Sequence, residues 1–232
     1  MTLGPAKLPL NNNINRMILR RKKYRFLFKD FIAGKIQWND PSLANLKQML
    51  RINLRIQQDG RCIYCRRLIL LERRNVYEDI EHFLDKSRPK YRKWAFSYLN
   101  LSLACHACNF EKSTKDLGVL NQQNSKRYLA GIGIYKWLHP YFDDYHANLA
   151  VEKGWTYSVR QGAPAAVQAF QMIEECKLGK IEATESYSEA IKEKIYRLTI
   201  LAGKASKRQR PERTQRLIDA SIRYQNEVWY DY

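Results

Sequence analysis

Two cysteine pairs constrain the fold of this chain more than any other feature of its sequence. Each pair has the C-x2-C spacing, Cys62 with Cys65 and Cys105 with Cys108, and 39 residues separate the pairs. Two such turns brought together form a tetrahedral four-cysteine site of the kind that binds structural zinc. Because four thiolates leave no open position on the ion, the pattern predicts a Zn2+ ion that holds the fold together and does not activate water.

Positive charge is concentrated in the first half of the chain. The 232 residues include 41 Lys and Arg against 23 Asp and Glu, a net charge of +18. Residues 1–120 hold 24 of the basic and 10 of the acidic residues, so their net charge is +14, and the last 112 residues carry +4. This excess indicates a polyanionic partner, DNA or RNA. Nucleic-acid affinity is therefore expected mainly before residue 120.

Nothing in the sequence indicates a membrane protein. No apolar run approaches the roughly 18 residues that a membrane-spanning helix needs. The first residues lack the apolar core of a secretory signal. The sequence therefore predicts a cytoplasmic protein that does not contact a membrane.

The pattern of apolar residues predicts a mixed α and β chain. A helix is expected from Pro41, with Asp40 as its cap and Gly60 as its stop. The segment 76–83 contains several β-forming residues. Apolar spacing also predicts helices at 109–116, 185–202 and 212–229, the last two separated by the basic segment KASKRQRP.

The long gap between the cysteine pairs contains a recognisable arrangement of polar residues. Glu81-His82 lies within IEHF, Asn100 precedes the second pair, and Asn109 follows Cys108. Over about 60 residues, the order, spacing and residue types resemble the His-Asn-His (HNH) endonuclease family, in the branch whose ββα-metal fold is braced by a four-cysteine zinc. Two positions depart from the family pattern, which often has Asp where this chain has Glu81 and His where it has Asn109. The resemblance therefore implies a His-Asn-Asn site.

The resemblance assigns a chemical role to each of these residues. His82 would take a proton from water, since its ordinary pKa lies near neutral pH. Glu81 and Asn109 would hold Mg2+ or Mn2+ through hard oxygen ligands, with Asp79 as a further candidate. Asn100 would fix the loop that orients His82. Because neighbours on a strand point to opposite faces, Glu81 and His82 can serve one centre only where the strand bends or ends.

Several basic residues are candidate contacts for a nucleic-acid backbone. One group lies on the helix expected after Asn109, where a solvated helix face is an equally good interpretation. The other forms a cluster interleaved with aromatic residues, which is either an arm that binds phosphates or a basic helix whose rings pack inward. The candidates are Arg20, Arg21, Lys22, Lys23, Lys112 and Lys115.

These observations predict an α+β fold. It would consist of a zinc-braced ββα-metal (HNH) core with N-terminal helices and a mainly α-helical C-terminal region. The predicted division is a basic N-terminal segment at 1–41, the nuclease domain at 42–120 and the helical region at 121–232. Cys176 lies outside the motif and is expected to be a small buried side chain.

The predicted function is metal-dependent hydrolysis of DNA phosphodiester bonds. IEHF-x-x-KS and the later HP-x-x-DD are similar to the nuclease subunits of Septu-type and retron-associated bacterial antiphage systems, which act beside an ATPase subunit. The helical region would then dock the ATPase or a second copy of the chain; the alternative is that its helices merely cover the ββα core. The alternative is a noncatalytic zinc-braced module for nucleic-acid binding or assembly, which leaves Glu81, His82 and Asn109 without a role.

Overall fold

The structure of this chain is a computed structural model that describes residues 3–11, 13–72 and 75–230. About half of the chain is helical and about a tenth is in strands, which confirms the predicted α+β class. The chain divides into two compact units. The core unit comprises Met1–Ala150 and Tyr157–Leu178, and the hairpin unit comprises Val151–Thr156 and Gly179–Tyr232.

Three helices open the core unit: α1 (Ile14–Leu19), α2 (Arg25–Ile32) and α3 (Ala44–Gln57). Asp40 caps the turn before α3 as predicted, because its carboxylate accepts a hydrogen bond from the Ser42 N–H at 2.9 Å. The apolar face of α3 is completely buried and packs toward α1 and the central hairpin. Its residues recur at helical spacing: Leu43, Leu46, Leu50 and Leu54.

The end of α3 lies close to the predicted stop. Asp59 and Gly60 both have positive φ, 52° and 67°. The Gly60 N–H donates to the Arg55 carbonyl and the Asp59 N–H to the Ile56 carbonyl, which is the hydrogen-bond pattern of a Schellman cap. The left-handed conformation therefore begins one residue before the glycine.

The central element is an antiparallel hairpin followed directly by a helix. Strand β3 (Glu78–His82) pairs with β4 (Leu101–Cys105), and α4 (His106–Lys112) starts at the next residue. The helix predicted at 109–116 begins earlier because Cys105 is its N-terminal cap residue. A shorter hairpin precedes β3, formed by β1 (Leu71–Glu72) and β2 (Asn75–Val76).

The remaining elements of this part of the chain are short. These elements are α5 (Leu120–Asn124), α6 (Tyr145–Asn148), β5 (Leu149–Val151), β6 (Tyr157–Val159) and α7 (Ala166–Glu175). Strands β5 and β6 pair with each other and form a third two-stranded sheet.

Aromatic residues from this later segment cover the first cysteine turn. The Tyr145 hydroxyl donates to the Tyr64 carbonyl at 2.9 Å, and the Tyr157 hydroxyl donates to the Cys65 carbonyl at 2.7 Å. The ring of Trp137 is completely buried with its centroid 5.4 Å from that of Tyr64. The boundary predicted at residue 120 therefore lies inside the core unit, which extends to Leu178 because these rings complete its core.

The hairpin unit consists mainly of two packed helices, α8 (Gly179–Lys207) and α9 (Pro211–Tyr230). Both helices predicted from the sequence are confirmed, and both extend beyond their predicted ends. Gln209, at φ 51°, ends α8 in a second Schellman cap, and Pro211 begins α9 at a position that suits its fixed φ. Within the described part of the chain, no helix combines the length and apolar character needed to cross a bilayer.

Candidate active site and metal centre

The four paired cysteines come together as predicted. Their sulfur atoms all lie within 4.8 Å of one another, and those of Cys65 and Cys105 are 3.9 Å apart. A tetrahedral ion with 2.3 Å bonds to sulfur places its ligands about 3.8 Å apart. Cys62, Cys65 and Cys108 are buried and Cys105 is partly exposed, so the group has the geometry and the protection of a structural zinc site. Among the described residues, it is the only such cluster of His, Cys, Asp or Glu.

A buried arginine lies beside the cysteine cluster. Arg66 is 2% exposed, and its guanidinium carbon lies 4.1 Å from the centroid of the Tyr145 ring. Burial lowers the pKa of Arg66, and the nearby Tyr145, Cys62 and Cys65 oppose that shift. A zinc ion with four thiolates would carry a net charge of −2, and the guanidinium would partly compensate that charge. No sequence pattern marked this residue.

The central hairpin presents two carboxylates to α4. Asp79 and Glu81 lie two residues apart on β3 and therefore share a face. The Asn109 side-chain amide donates to Asp79 Oδ2 at 2.9 Å, and His106 Nδ1 lies 3.1 Å from the same oxygen. The structure thus pairs Asn109 with Asp79.

Glu81 belongs to a separate buried network. Its Oε1 lies 2.6 Å from the Lys112 ammonium and accepts a hydrogen bond from the Tyr64 hydroxyl at 3.0 Å. Lys112 also donates to the carbonyl of His82. Burial, followed by the charge of Glu81, raises the pKa of Tyr64 well above its ordinary value. The carboxylate oxygen atoms of Asp79 and Glu81 are of the type that Mg2+ prefers, but the Lys112 ammonium already neutralises Glu81.

His82 lies at the end of β3 and is almost inaccessible. It is 3% exposed, and no side chain among the described residues forms a hydrogen bond with its ring nitrogens. The ring of Trp38 meets it edge-on, with centroids 4.4 Å apart. Burial, then the charges of Lys86 and Lys112, lower the pKa of His82 well below 6.5. The imidazole is therefore neutral at neutral pH and able to accept a proton.

Asn100 fixes the chain that follows His82. Its Oδ1 accepts from the Leu84 N–H at 2.7 Å, and its Nδ2 donates to the Leu84 carbonyl at 3.0 Å. The same Oδ1 accepts from the Tyr128 hydroxyl at 3.1 Å. Asn100 is completely buried and holds both backbone polar groups of the residue two positions after His82. The role that the resemblance implies for Asn100, fixing the loop that orients His82, stays a prediction.

The basic candidates fall into two groups. Four of them, at the end of α1 and in the following turn, are exposed: Arg20, Arg21, Lys22 and Lys23. Lys115 is half-buried and donates to the carbonyl of Glu111. The expectation of an exposed nucleic-acid contact is wrong for Lys112, which is 2% exposed because its ammonium pairs with the buried Glu81.

Three further residues shape this region and were not predicted. Trp38 covers His82 from the loop between α2 and α3, and Tyr128 supports Asn100. The Gln58 side chain donates to the Leu103 carbonyl at 2.8 Å and accepts from its N–H at 2.7 Å, so it pairs with β4 as a strand would. Of these three residues, only Gln58 could have been predicted from the sequence to be buried, because it follows Leu54 by four residues and so continues the buried face of α3.

Comparison of the chain with models of known protein families, with curated proteins and with solved structures finds no match. The assignment to the HNH family stays a hypothesis based on residue types, spacing and the contacts described above.

Proposed function

We propose that this protein is a metal-dependent endonuclease of the HNH type that hydrolyses phosphodiester bonds in DNA. The observation that carries the proposal is the position of His82. It ends the first strand of a hairpin that runs directly into a helix, a four-cysteine cluster braces that junction, and Asn100 holds the residue two positions later. This combination is what the sequence resemblance implies.

In this proposal, His82 accepts the proton of the attacking water. Its lowered pKa keeps the imidazole unprotonated at neutral pH but also makes the buried ring a weak base. Exposure of the ring, as substrate binds, would bring its pKa closer to the working pH that favours general-base catalysis. Asn100 positions the backbone after His82 and does not touch substrate. The net charge of +18 favours a polyanionic substrate.

The divalent ion would be held on the α4 face of the hairpin by Glu81 and Asn109, with Asp79 beside them. Bound there, Mg2+ or Mn2+ would stabilise the negative charge that develops on the phosphate. The Lys112 ammonium already neutralises the buried Glu81, so the ion would have to displace that group in order to bind Glu81 and Asn109 together.

The decisive experiment is a plasmid-nicking assay with and without Mg2+. We expect the wild type to nick the plasmid only with the ion, and His82→Ala to lose cleavage while still binding DNA. His146→Ala is the matched control, because this half-buried histidine contacts the Gly4 carbonyl and lies outside the central hairpin. Wild-type cleavage by a contaminant-free His82→Ala preparation would reject the site. RNA in place of the plasmid tests the choice of nucleic acid.

A noncatalytic nucleic-acid-binding module is the second candidate. It is favoured by the closed state of the site, in which Trp38 covers His82 and Lys112 neutralises Glu81. Binding without any ion-dependent cleavage under all conditions would support this candidate.

We also propose that the protein works in bacterial antiphage defence beside an ATPase subunit. The support comes from the short motifs noted in the sequence and from apolar side chains that both helices of the hairpin unit leave exposed. These are Ile200, Leu201, Ile218 and Ile222, each 40–47% exposed. Co-expression with the ATPase subunit of a Septu-type system, followed by affinity purification, should recover a complex with the full chain. Replacement of these residues by Ser should abolish recovery, and an unchanged yield would contradict the proposal.

A further inference from the structure

An open cleft in the core unit combines arginines with aromatic rings. Its volume is about 800 Å³. The chain segments that form it are the end of α1, the turn before β4 and the segment after α5. The lining residues are Arg16, Leu19, Arg20, Phe96, Ser97, Tyr98, Leu99, Arg127 and Tyr128. We refer to it as the arginine cleft.

The positive charge of the cleft is not neutralised by the protein. Arg16, Arg20 and Arg127 are exposed, and none forms an ion pair with a carboxylate among the described residues. The Arg16 guanidinium carbon lies 5.7 Å from the centroid of the Tyr98 ring. Planar guanidinium groups suit phosphate oxygens because they donate two parallel hydrogen bonds.

The aromatic wall of the cleft is held rigidly from behind. Phe96 stacks on Phe28 with centroids 4.0 Å apart, and Tyr98 contacts Tyr141 edge-on at 5.8 Å. Both Phe96 and Tyr98 are only partly buried, so each leaves ring surface at the cleft. Fixed ring surface next to guanidinium groups is the combination on which single-stranded nucleic acid binds, with bases stacked and phosphates paired.

The cleft is also connected to the candidate active site. Tyr128 donates to Asn100, which fixes Leu84 after His82. On the other side, Phe96 lies 5.7 Å from Trp38, the residue that covers His82. A ligand in the cleft would therefore touch Tyr128 and Phe96, and these two residues contact Asn100 and Trp38, which support and cover the region of the proposed base.

We propose that the arginine cleft binds one nucleotide unit of a single-stranded nucleic-acid segment, with the phosphate against the three arginines and the base against Tyr98. The inference rests on the proposed function only in taking that strand to be the substrate. An acidic peptide would pair with the guanidinium groups but would not cover the ring surface that Phe96 and Tyr98 expose to the cleft.

The test measures binding of a fluorescently labelled oligothymidylate to the full-length protein without divalent ions, so that no cleavage occurs. We expect Arg16→Gln, Arg20→Gln and Arg127→Gln, combined, to weaken binding at least tenfold. The slope of log affinity against log salt should become shallower by about 0.7, since the three arginines contact one phosphate and each phosphate contact on a single strand contributes about 0.7. Tyr98→Leu should weaken binding roughly tenfold with the slope unchanged, because stacking involves no counterion release.

A matched control removes the same charge from another surface. Arg213, Arg216 and Arg223 of α9 are exposed, and their combined replacement by Gln should change affinity by less than about threefold. Equal weakening by this control, or wild-type binding by Tyr98→Leu, overturns the proposal. The proposal is also overturned if thymidine monophosphate binds as tightly as the oligothymidylate, because the cleft would then be a site for a free nucleotide and not for a strand. His82→Ala should bind the strand normally, so failure of the cleavage proposal is scored separately.

Discussion

His139, Tyr128 and Asn100 form a chain of hydrogen bonds whose proton positions follow from their partners. The Tyr141 N–H donates to His139 Nδ1 at 3.2 Å, so Nδ1 carries no proton. The proton is therefore on Nε2, which lies 3.1 Å from the Tyr128 oxygen, and the Tyr128 hydroxyl donates to Asn100. Protonation of His139 would place an N–H group on Nδ1, facing the Tyr141 N–H, so this hydrogen bond would be lost. His139 is completely buried, and its ring stacks on that of Phe142 with centroids 4.3 Å apart.

This arrangement predicts acid sensitivity. Burial lowers the pKa of His139 well below 6.5, so below that pH the unfolded chain binds a proton that the folded protein does not. The stabilisation by neutral His139 is complete above about pH 6.5 and is lost as the pH falls toward the folded pKa. Between about pH 7.5 and 5.5, the free energy of unfolding should therefore fall more in the wild type than in His139→Gln.

Urea unfolding at the two pH values measures this difference. His82 has a pKa shifted in the same direction, but it is present in both proteins and its contribution cancels. Equal losses of stability in the wild type and the variant would show that His139 does not titrate on unfolding.

Trp38 controls access to His82. Because burial is the largest cause of the lowered pKa of His82, Trp38→Ala should raise that pKa toward 6.5 and expose the imidazole. We expect faster modification of His82 by diethyl pyrocarbonate, followed by mass spectrometry, and a higher pKa in an NMR titration. Phe26→Ala removes a 70% exposed ring from α2 and should change neither measurement. Unchanged reactivity in Trp38→Ala would mean that another residue covers His82.

At the scale of elements, the cysteine cluster joins pieces that are too small to be stable alone. Cys105 is both the last residue of β4 and the cap residue of α4, and Cys62 and Cys65 lie on the turn that follows α3. A two-stranded hairpin and a helix of two turns are marginal in isolation. A metal ion bound at this junction would therefore couple the folding of α3, the hairpin and α4.

Loss of one ligand tests that coupling. Cys105→Ser should reduce zinc from about one ion per chain to well below one and should destabilise or unfold the core unit. Cys176→Ser is the matched control, because Cys176 is buried with its sulfur 3.9 Å from the Cys108 carbonyl but lies outside the cluster. Metal analysis should find wild-type zinc in that control. A metal-free wild-type protein that stays folded would contradict the zinc assignment.

At the scale of the whole molecule, the structure relocates the boundary that matters for truncation. The core unit ends at Leu178, and rings from 137–157 cover the first cysteine turn. A chain ending at Leu178 should remain soluble, bind zinc and unfold cooperatively. A chain ending at Gly118 should aggregate or fail to unfold cooperatively, because it lacks Trp137, Tyr141, Tyr145 and Tyr157.

Thermal unfolding and metal analysis of the two truncated chains decide between the boundaries. A zinc-loaded, cooperatively folded 1–118 fragment would restore the boundary predicted from the sequence. If 1–178 keeps its fold but no longer recovers the ATPase, partner docking is confined to the hairpin unit.

The sequence by itself determined the features that depend on local spacing. The four cysteines, the buried leucine stripe of α3 and the position of β3 follow from patterns within a few residues, since helices, strands and metal-binding turns have fixed periods. The resemblance also led to Asn100, whose contacts with Leu84 agree with the role it implied.

Only the tertiary structure decided what surrounds each polar residue. The sequence could not show that Lys112 is buried against Glu81, that Asn109 pairs with Asp79, or that Trp38 covers His82. These contacts join residues that are about 30 or more positions apart, and no local period encodes them. The burial and pKa of a side chain depend on such distant neighbours, which is why the accessibility of the proposed base could be read only from the folded chain.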